Sequence, residues 1–146
     1  MATDTAGNVG KRYEHDTVHY LSKYVTYLTL NGSGTAAGTT NATVTVGWLP
    51  ANAIVVTGYV KVITGFDDTN ADDLDVGVAG DDDDLFASAI DMNSAATTVF
   101  DDLATANDYS TSARKVTCNF TTAPTGNGTA GAAIVFLEYI IARDVP

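Results

Sequence analysis

The chain has 146 residues, of which 45% are hydrophobic, and this length and composition suit one folded domain with a single core. Seven Lys and Arg residues stand against 18 Asp and Glu residues, so the formal net charge at pH 7 is −11. Such an acidic chain repels phosphate backbones, and no apolar run reaches the ~18 residues of a membrane span, so we expect neither a nucleic-acid partner nor a membrane partner.

The polar residues favour strands over helices. Asp occurs sixteen times and Glu twice, and the residues that usually fill exposed helix surfaces (Glu, Lys, Gln and Arg) are scarce. Thr and Val favour strands, whereas Asn, Asp and Gly favour the turns between strands. The composition therefore predicts an all-β fold.

Residues 1–12 are small and polar, with Val9 as the single large apolar residue after the initial Met, so they cannot form a core of their own. We predict an extended, flexible N-terminal arm over residues 1–12 that orders on a partner, followed by a single β-sandwich domain over residues 13–146. Lys11 and Arg12 make this arm the basic end of an acidic molecule. The arm lacks the apolar stretch of a secretory signal, so we expect synthesis in a reducing cytoplasm.

Residues 13–30 contain the segment TVHYLSKYVTYLTL, which fits both helical and strand spacing. Its β-branched and aromatic residues favour a strand. Apolar side chains then fall on both faces of the strand, which predicts that a neighbouring subunit covers one of them. The predicted partner-binding residues are Lys11, Arg12, Tyr13, Tyr20 and Tyr24.

The sequence contains no convincing active site. Its two histidines, His15 and His19, would lie about 13 Å apart on a strand, too far to share a metal. No nucleophile turn accompanies them. Cys118 lies in the alternating segment VTCNF and is interpreted as a small buried hydrophobic residue. We therefore predict no catalytic residue, no cofactor and no enzymatic activity.

Period-two alternation identifies the strands that build the core. Segments 43–48, 54–66 and 74–79 alternate in this way. Trp48 is interpreted as a core anchor, with a sugar-stacking platform as the alternative. Asp75 and Gly77 are expected to face outward. The predicted core consists of Val44, Val46, Trp48, Ile54, Val56, Val60, Val62, Val76, Cys118, Phe120, Leu137 and Tyr139.

Acidic residues are concentrated in the middle of the chain. Residues 62–113 contain thirteen Asp and neither Lys nor Arg. The adjacent residues Asp81–Asp84 are interpreted as a solvated turn, because neighbouring like charges repel each other unless water or a cation surrounds them. A calcium site is the alternative, although no EF-hand pattern is present. Its candidate ligands are Asp67, Asp68, Asp72, Asp81, Asp82, Asp83 and Asp84.

The C-terminal half adds further strands. Segment 85–92 fits a helical turn or a strand, and segment 95–100 fits a short strand. Segments 115–122 and 132–142 read as strands, and the Asn-Gly pair between them predicts a hairpin. The last strand is apolar on both sides, so we expect it to be central or covered. Seven or eight strands in one domain predict a β-sandwich, with jelly-roll connectivity preferred.

Several of these segments together carry a family resemblance. They are LPANA at residues 49–53, the strand that ends at Phe66, the triplet Asp75-Val76-Gly77, the acidic stretch 81–84 with Phe86, and the closing strand 131–139. Over residues 42–140 the pattern resembles the small accessory virion proteins of tailed bacteriophages, namely the decoration or cement proteins of the capsid.

The resemblance implies a protein that binds and stabilises the head lattice without catalysis. Its partner would be the major capsid protein or another virion protein, and its location would be the virion, after synthesis in the bacterial host's cytoplasm. The basic arm and the two-faced segment at 13–30 favour a homo-oligomer, with a trimer preferred. Two alternatives are a tail or fibre adaptor of the virion and a carbohydrate-binding β-sandwich module that would use Trp48.

Overall fold

The structure is a computed structural model that describes residues 17–32, 41–69, 73–104 and 109–142. A four-residue helix, α1 (Tyr27–Leu30), follows the first strand, and a short 3-10 helix covers Asp102–Ala104. The described residues include no helix that is both long enough and apolar enough to span a membrane. The arm predicted over residues 1–12 lies outside the described residues. The strands are β1 (His19–Thr26), β2 (Val44–Leu49), β3 (Ala53–Thr64), β4 (Asp73–Val78), β5 (Asp82–Asp91), β6 (Thr97–Val99), β7 (Arg114–Phe120) and β8 (Ala132–Ile141).

The strands pair as a long antiparallel ribbon that has been rolled up. β1 pairs with β8, β2 with β7, β3 with β6, and β4 with β5. The rolled ribbon gives a first sheet in the order β1-β8-β3-β6 and a second sheet in the order β2-β7-β4-β5. This order is that of a jelly roll, so the predicted all-β sandwich with jelly-roll connectivity is confirmed.

The hairpin predicted between the last two strands is wrong. β7 and β8 belong to different sheets, so the connection that contains Asn127 and Gly128 crosses from one sheet to the other. The expectation that β8 is central is confirmed, because β8 lies between β1 and β3.

The core lies between the two sheets. Most of the predicted core is buried there, and each fully buried apolar side chain contributes about 1.5–3 kcal/mol relative to exposure. Val44 and Tyr139 are partly buried against it. The buried members of the predicted set are Val46, Val60, Val62, Val76, Cys118, Phe120 and Leu137.

Two β-bulges explain why Trp48 and Val56 were wrongly assigned to the core. The pairing of β3 with β8 shifts between Val55 and Thr57, and that of β2 with β7 shifts between Thr45 and Gly47. An extra residue at each bulge reverses the alternation of the residues around it. Val56 is consequently 50% exposed and Trp48 61% exposed.

The same correction applies to Ile54, which is only half-buried, whereas its neighbours Ala53 and Val55 point into the core. Leu49 takes the buried position that had been expected for Trp48.

Asp75 and Gly77 alternate with the core-facing residues of β4 as predicted, yet both are buried. The Asp75 carboxylate accepts hydrogen bonds from the Ala89 backbone N–H at 2.8 Å and from the Thr121 hydroxyl at 2.9 Å. A Cβ on Gly77 would lie 2.2 Å from the Asp82 carbonyl oxygen. The start of β5 therefore covers this face of β4, and only glycine fits beneath it.

Candidate interaction surface

The described residues among the predicted calcium ligands fall into two groups, and Asp72 lies outside the described residues. The first group, Asp67 and Asp68, follows β3 and holds the β7–β8 connection. Asp68 is 2% exposed, and its carboxylate accepts hydrogen bonds from the four successive backbone N–H groups of residues 125–128 at 3.1–3.2 Å. Successive N–H groups of this kind form a concave anion-binding nest, which here is filled by a side chain of the same chain.

Two hydroxyl groups complete the surroundings of Asp68. The Thr125 hydroxyl donates to its carboxylate at 3.0 Å and the Tyr27 hydroxyl donates at 2.9 Å. Burial of the Tyr27 ring, together with this carboxylate, raises the pKa of the Tyr27 phenol. The phenol therefore remains protonated and continues to donate at neutral pH.

Asp67 holds the end of the same connection from the exposed side. Its carboxylate accepts hydrogen bonds from the backbone N–H groups of Thr129 at 2.7 Å and Ala130 at 2.9 Å, and from the Thr129 hydroxyl at 2.8 Å. These hydrogen bonds, that from Ala130 first, lower the pKa of the Asp67 carboxyl. Asp67 and Asp68 thus act together as an anchor for the loop; we call them the loop clamp.

The second acidic group lies at the start of β5. Within the described part of the chain, Asp82, Asp83 and Asp84 are the one set whose ligand oxygens all come within 4.8 Å of one another. Asp81 lies in the preceding turn, but the next three residues belong to the strand, so the solvated turn is shorter than predicted.

A hydrogen bond between Asp82 and Asp84 raises the pKa of the Asp82 carboxyl and lowers that of Asp84, to which Ser88 also donates. Asp82 therefore takes up a proton at a higher pH than Asp84. Calcium binding by these acidic residues remains the alternative to the predicted solvated surface.

Two other sequence interpretations concern possible chemistry. His15 lies outside the described residues, whereas the His19 ring stacks on Tyr139 with 5.4 Å between ring centroids. The Cys118 thiol is buried in the core, as predicted, and burial raises its pKa to about 12. It therefore remains a neutral thiol at physiological pH, which is the form that suits packing and not nucleophilic attack.

An aromatic surface covers the side of the first sheet that faces away from the core. The registers place Ser22, Phe136, Tyr59 and Val99 side by side across β1, β8, β3 and β6. We call these four residues the aromatic row. The Phe136 and Tyr59 rings stack with their centroids 4.9 Å apart, which holds both rings in one orientation.

A second row of side chains lies on each side of the aromatic row. On one side the registers align Tyr24, Ile134, Lys61 and Thr97. On the other side they align Tyr20, Glu138 and Thr57, and the Tyr20 ring stacks on Phe136 at 5.7 Å. These three rows together form what we call the outer face.

The outer face is both exposed and nearly uncharged. Tyr20 is 67% exposed and Tyr24 is 57% exposed. Among the described residues of the three rows, the charged side chains are Lys61 and Glu138, which cancel. A neutral aromatic surface on a protein with a net charge of −11 makes the outer face a candidate interaction site.

The predicted partner-binding residues are thus only partly located. Tyr20 and Tyr24 lie on the outer face, whereas Lys11, Arg12 and Tyr13 lie outside the described residues. Tyr59 and Phe136 were not predicted as site residues. The apolar residues on both sides of β8 were the signal that could have identified Phe136.

Trp48 forms a separate exposed feature. It lies on β2, an edge strand of the second sheet, and is paired with Lys115 of β7. An exposed indole on a sheet edge can stack against a sugar ring or against an apolar partner.

Comparison with known proteins gives structural neighbours but no family. No protein-family model matches the chain, and no curated protein matches it. Among solved structures, the chain is similar to a chain of the cyanophage Pam1 capsid asymmetric unit, with a TM-score of 0.62 and 21% identity over 86% of each chain.

Two further neighbours come from other phage capsids. A chain of the acid-stable capsid of Helicobacter pylori bacteriophage KHP30 has a TM-score of 0.60 and 19% identity over 87% of this chain and 90% of that one. A chain of the Ralstonia phage GP4 capsid has a TM-score of 0.58 and 20% identity over 99% of this chain and 91% of that one. At these identities the likeness shows a shared fold, the eight-stranded jelly roll.

Proposed function

We propose that this chain is a structural protein of a bacteriophage virion, and more specifically a decoration or cement protein that stabilises the head lattice without catalysis. The observation that carries the proposal is the extent of the structural likeness. Chains from three phage capsids share the fold over 86–99% of this chain, so the likeness involves the whole jelly roll and not one local motif.

The proposed partner is the major capsid protein or another virion protein, and the proposed location is the virion, after synthesis in the bacterial cytoplasm. A repeating lattice presents many identical sites, so weak contacts of each copy suffice for firm attachment when the copies also contact one another. The exposed outer face offers a contact between copies. Residues 1–12, with Lys11 and Arg12, offer a contact with the lattice, because their two cations would be attracted to an acidic partner surface.

Sedimentation of the purified protein with undecorated heads tests the proposal. We expect the full chain to sediment with the heads in a saturable manner. Removal of residues 2–12 is expected to leave the domain folded and to weaken attachment. Two double variants test the role of the arm's charge. Lys11→Gln/Arg12→Gln removes two cations from the arm and is expected to weaken binding. Lys23→Gln/Lys115→Gln removes two cations from the folded domain and is expected to leave binding unchanged.

The outcomes separate the two virion roles. Full binding by the truncated chain would show that the arm is irrelevant. Failure of the intact, folded chain to bind heads would overturn the decoration role, and binding to purified tails would then support the tail or fibre adaptor.

The exposure of Trp48 favours a second candidate function, carbohydrate binding. Stacking of a sugar ring on the indole would quench its fluorescence, and Trp48 is the only tryptophan in the chain, so the signal has a single source. Titration with cell-surface oligosaccharides of the bacterial host tests this candidate. Saturable quenching would support it, and an unchanged spectrum would remove it.

A further inference from the structure

We propose that the outer face binds a second copy of this chain, forming a two-fold pair in which the two aromatic rows lie against each other. This inference concerns contacts between copies and does not depend on the virion role. It rests on three features of the outer face: its exposed rings, its charge and the positions of its two charged residues.

The rings are already ordered, with Tyr20 exposed and with Tyr59 and Phe136 half-buried. Tyr20 and Tyr59 both stack on Phe136, with centroids 5.7 and 4.9 Å away. Rings fixed in this way lose little conformational freedom when a partner covers them, so burial of their surface is not offset by a large ordering cost. Val99 at the end of the aromatic row is also mostly exposed. The row therefore presents a preformed apolar strip across β8, β3 and β6, and Tyr20 of β1 extends it by stacking on Phe136.

Charge indicates that another copy is the occupant. Two molecules that each carry −11 repel one another, and the repulsion is smallest where the facing surfaces are neutral. Asp73, Asp75 and the set Asp82–Asp84 belong to the second sheet and not to the sheet that carries the aromatic row. The three rows of the outer face contain one acidic and one basic residue, and exposed Asp101 follows β6 at the margin of the face, so two copies that meet there bring few carboxylates together.

The positions of Lys61 and Glu138 fit a two-fold pair. Lys61 lies in the row on one side of the aromatic row, beside Ile134, and Glu138 lies in the row on the other side. Neighbouring rows are about 7 Å apart, because residues on the same face of a strand are separated by two residues. The two charges thus lie on opposite sides of the aromatic row, on adjacent strands about 4.8 Å apart.

A two-fold axis that runs along the aromatic row, between two facing sheets, exchanges the two flanking rows. Lys61 of each copy then faces the row that contains Glu138 of the other copy. The two residues are offset by one strand, and a lysine side chain is long enough to span that offset. The pair would contain two equivalent ion pairs around a central aromatic contact, as expected of an isologous interface. Such a pair is closed at two copies, whereas the sequence favoured a trimer.

The size of the outer face predicts weak association. Four strands give a width of about 19 Å, and three rows give a length of about 20 Å, or about 400 Å² on each copy. Stable complexes bury about 800 Å² on each partner, so this pair is expected to be weak and to form at concentrations of about 10 to 500 µM in solution.

Charge reversal tests the pairing, with sedimentation equilibrium of the full chain from about 10 to 500 µM as the readout. Lys61→Glu and Glu138→Lys should each weaken dimerisation about tenfold or more, because each places like charges face to face. The double variant Lys61→Glu/Glu138→Lys has the wild-type net charge and should restore dimerisation to within about threefold of wild type.

Lys115→Glu is the matched control, because it makes the same charge change as Lys61→Glu on the second sheet; its dimerisation should stay within about threefold of wild type. Circular dichroism establishes that each variant is folded. A wild-type chain that remains monomeric or forms trimers, single variants that dimerise normally, or a double variant that stays monomeric would each overturn the pairing. Sedimentation with heads is measured separately, so loss of head binding with dimerisation intact would count against the virion role alone.

Discussion

Replacement of the buried Asp68 by Asn should destabilise the protein far more than the same change at an exposed carboxylate. The Asp68 carboxylate is 2% exposed and accepts hydrogen bonds from four backbone N–H groups and two hydroxyl groups. An Asn side chain has one acceptor oxygen, and its NH₂ group would point at donors. Loss of the charge also weakens the remaining hydrogen bonds, since charged acceptors bind about twice as strongly as neutral ones.

The expected loss in the free energy of unfolding is about 3–5 kcal/mol, because each buried donor left without an acceptor costs about 1–3 kcal/mol and one amide oxygen cannot serve all six donors. For a chain of this size that loss corresponds to a decrease of about 10–15 °C in Tm. Thermal and urea unfolding, followed by circular dichroism, measure this loss of stability.

Asp91→Asn is the matched control, because Asp91 is exposed and its carboxylate accepts hydrogen bonds from the neighbouring Asn93. This variant should lose less than about 1 kcal/mol of unfolding free energy. An Asp68→Asn variant within about 1 kcal/mol of wild type would refute the role assigned to the loop clamp.

Three further predictions concern stability. Because the pKa of Asp67 is lowered in the folded state, its carboxylate stabilises the fold above the ordinary pKa of 3.8, and this stabilisation is lost as the pH falls below that value. Asp67→Asn should therefore flatten the acid side of a plot of Tm against pH. An unchanged plot would contradict this. Val60→Asp places a charge at a fully buried position and should cost about 4 kcal/mol or more, so a variant with wild-type Tm would show that the core is misassigned. We expect the acidic residues to behave first as a solvated surface, with equal Tm in calcium and in chelator. A higher Tm in calcium would establish the calcium site. The free energy of unfolding would then rise by about 2.7 kcal/mol at a hundredfold excess of calcium over Kd.

The fold was predictable where alternation was regular. β4 and β7 have uninterrupted alternating patterns, and their core residues Val76, Cys118 and Phe120 were predicted correctly, as was Leu137 of β8. β2 and β3 each contain a bulge, which depends on the pairing strand and leaves no mark in the local pattern. Trp48 and Val56 were misplaced for that reason.

The loop clamp could not have been predicted from the sequence. Asp68 binds residues 57–60 positions further along the chain, and a pair of Asp residues after a strand usually indicates only a solvated turn. The outer face was partly predictable, since Tyr20 and Tyr24 fall on one side of β1. Their alignment with Phe136 and Tyr59 follows from the jelly-roll order of the strands, which local patterns do not specify.

The central claim, that this chain is part of the virion head, is tested most directly by quantitative mass spectrometry of purified virions and of heads separated from their tails. We expect the chain to be present in both preparations, in a copy number comparable to that of the major capsid protein. Absence from purified virions, or a few copies that remain with the tails, would contradict it.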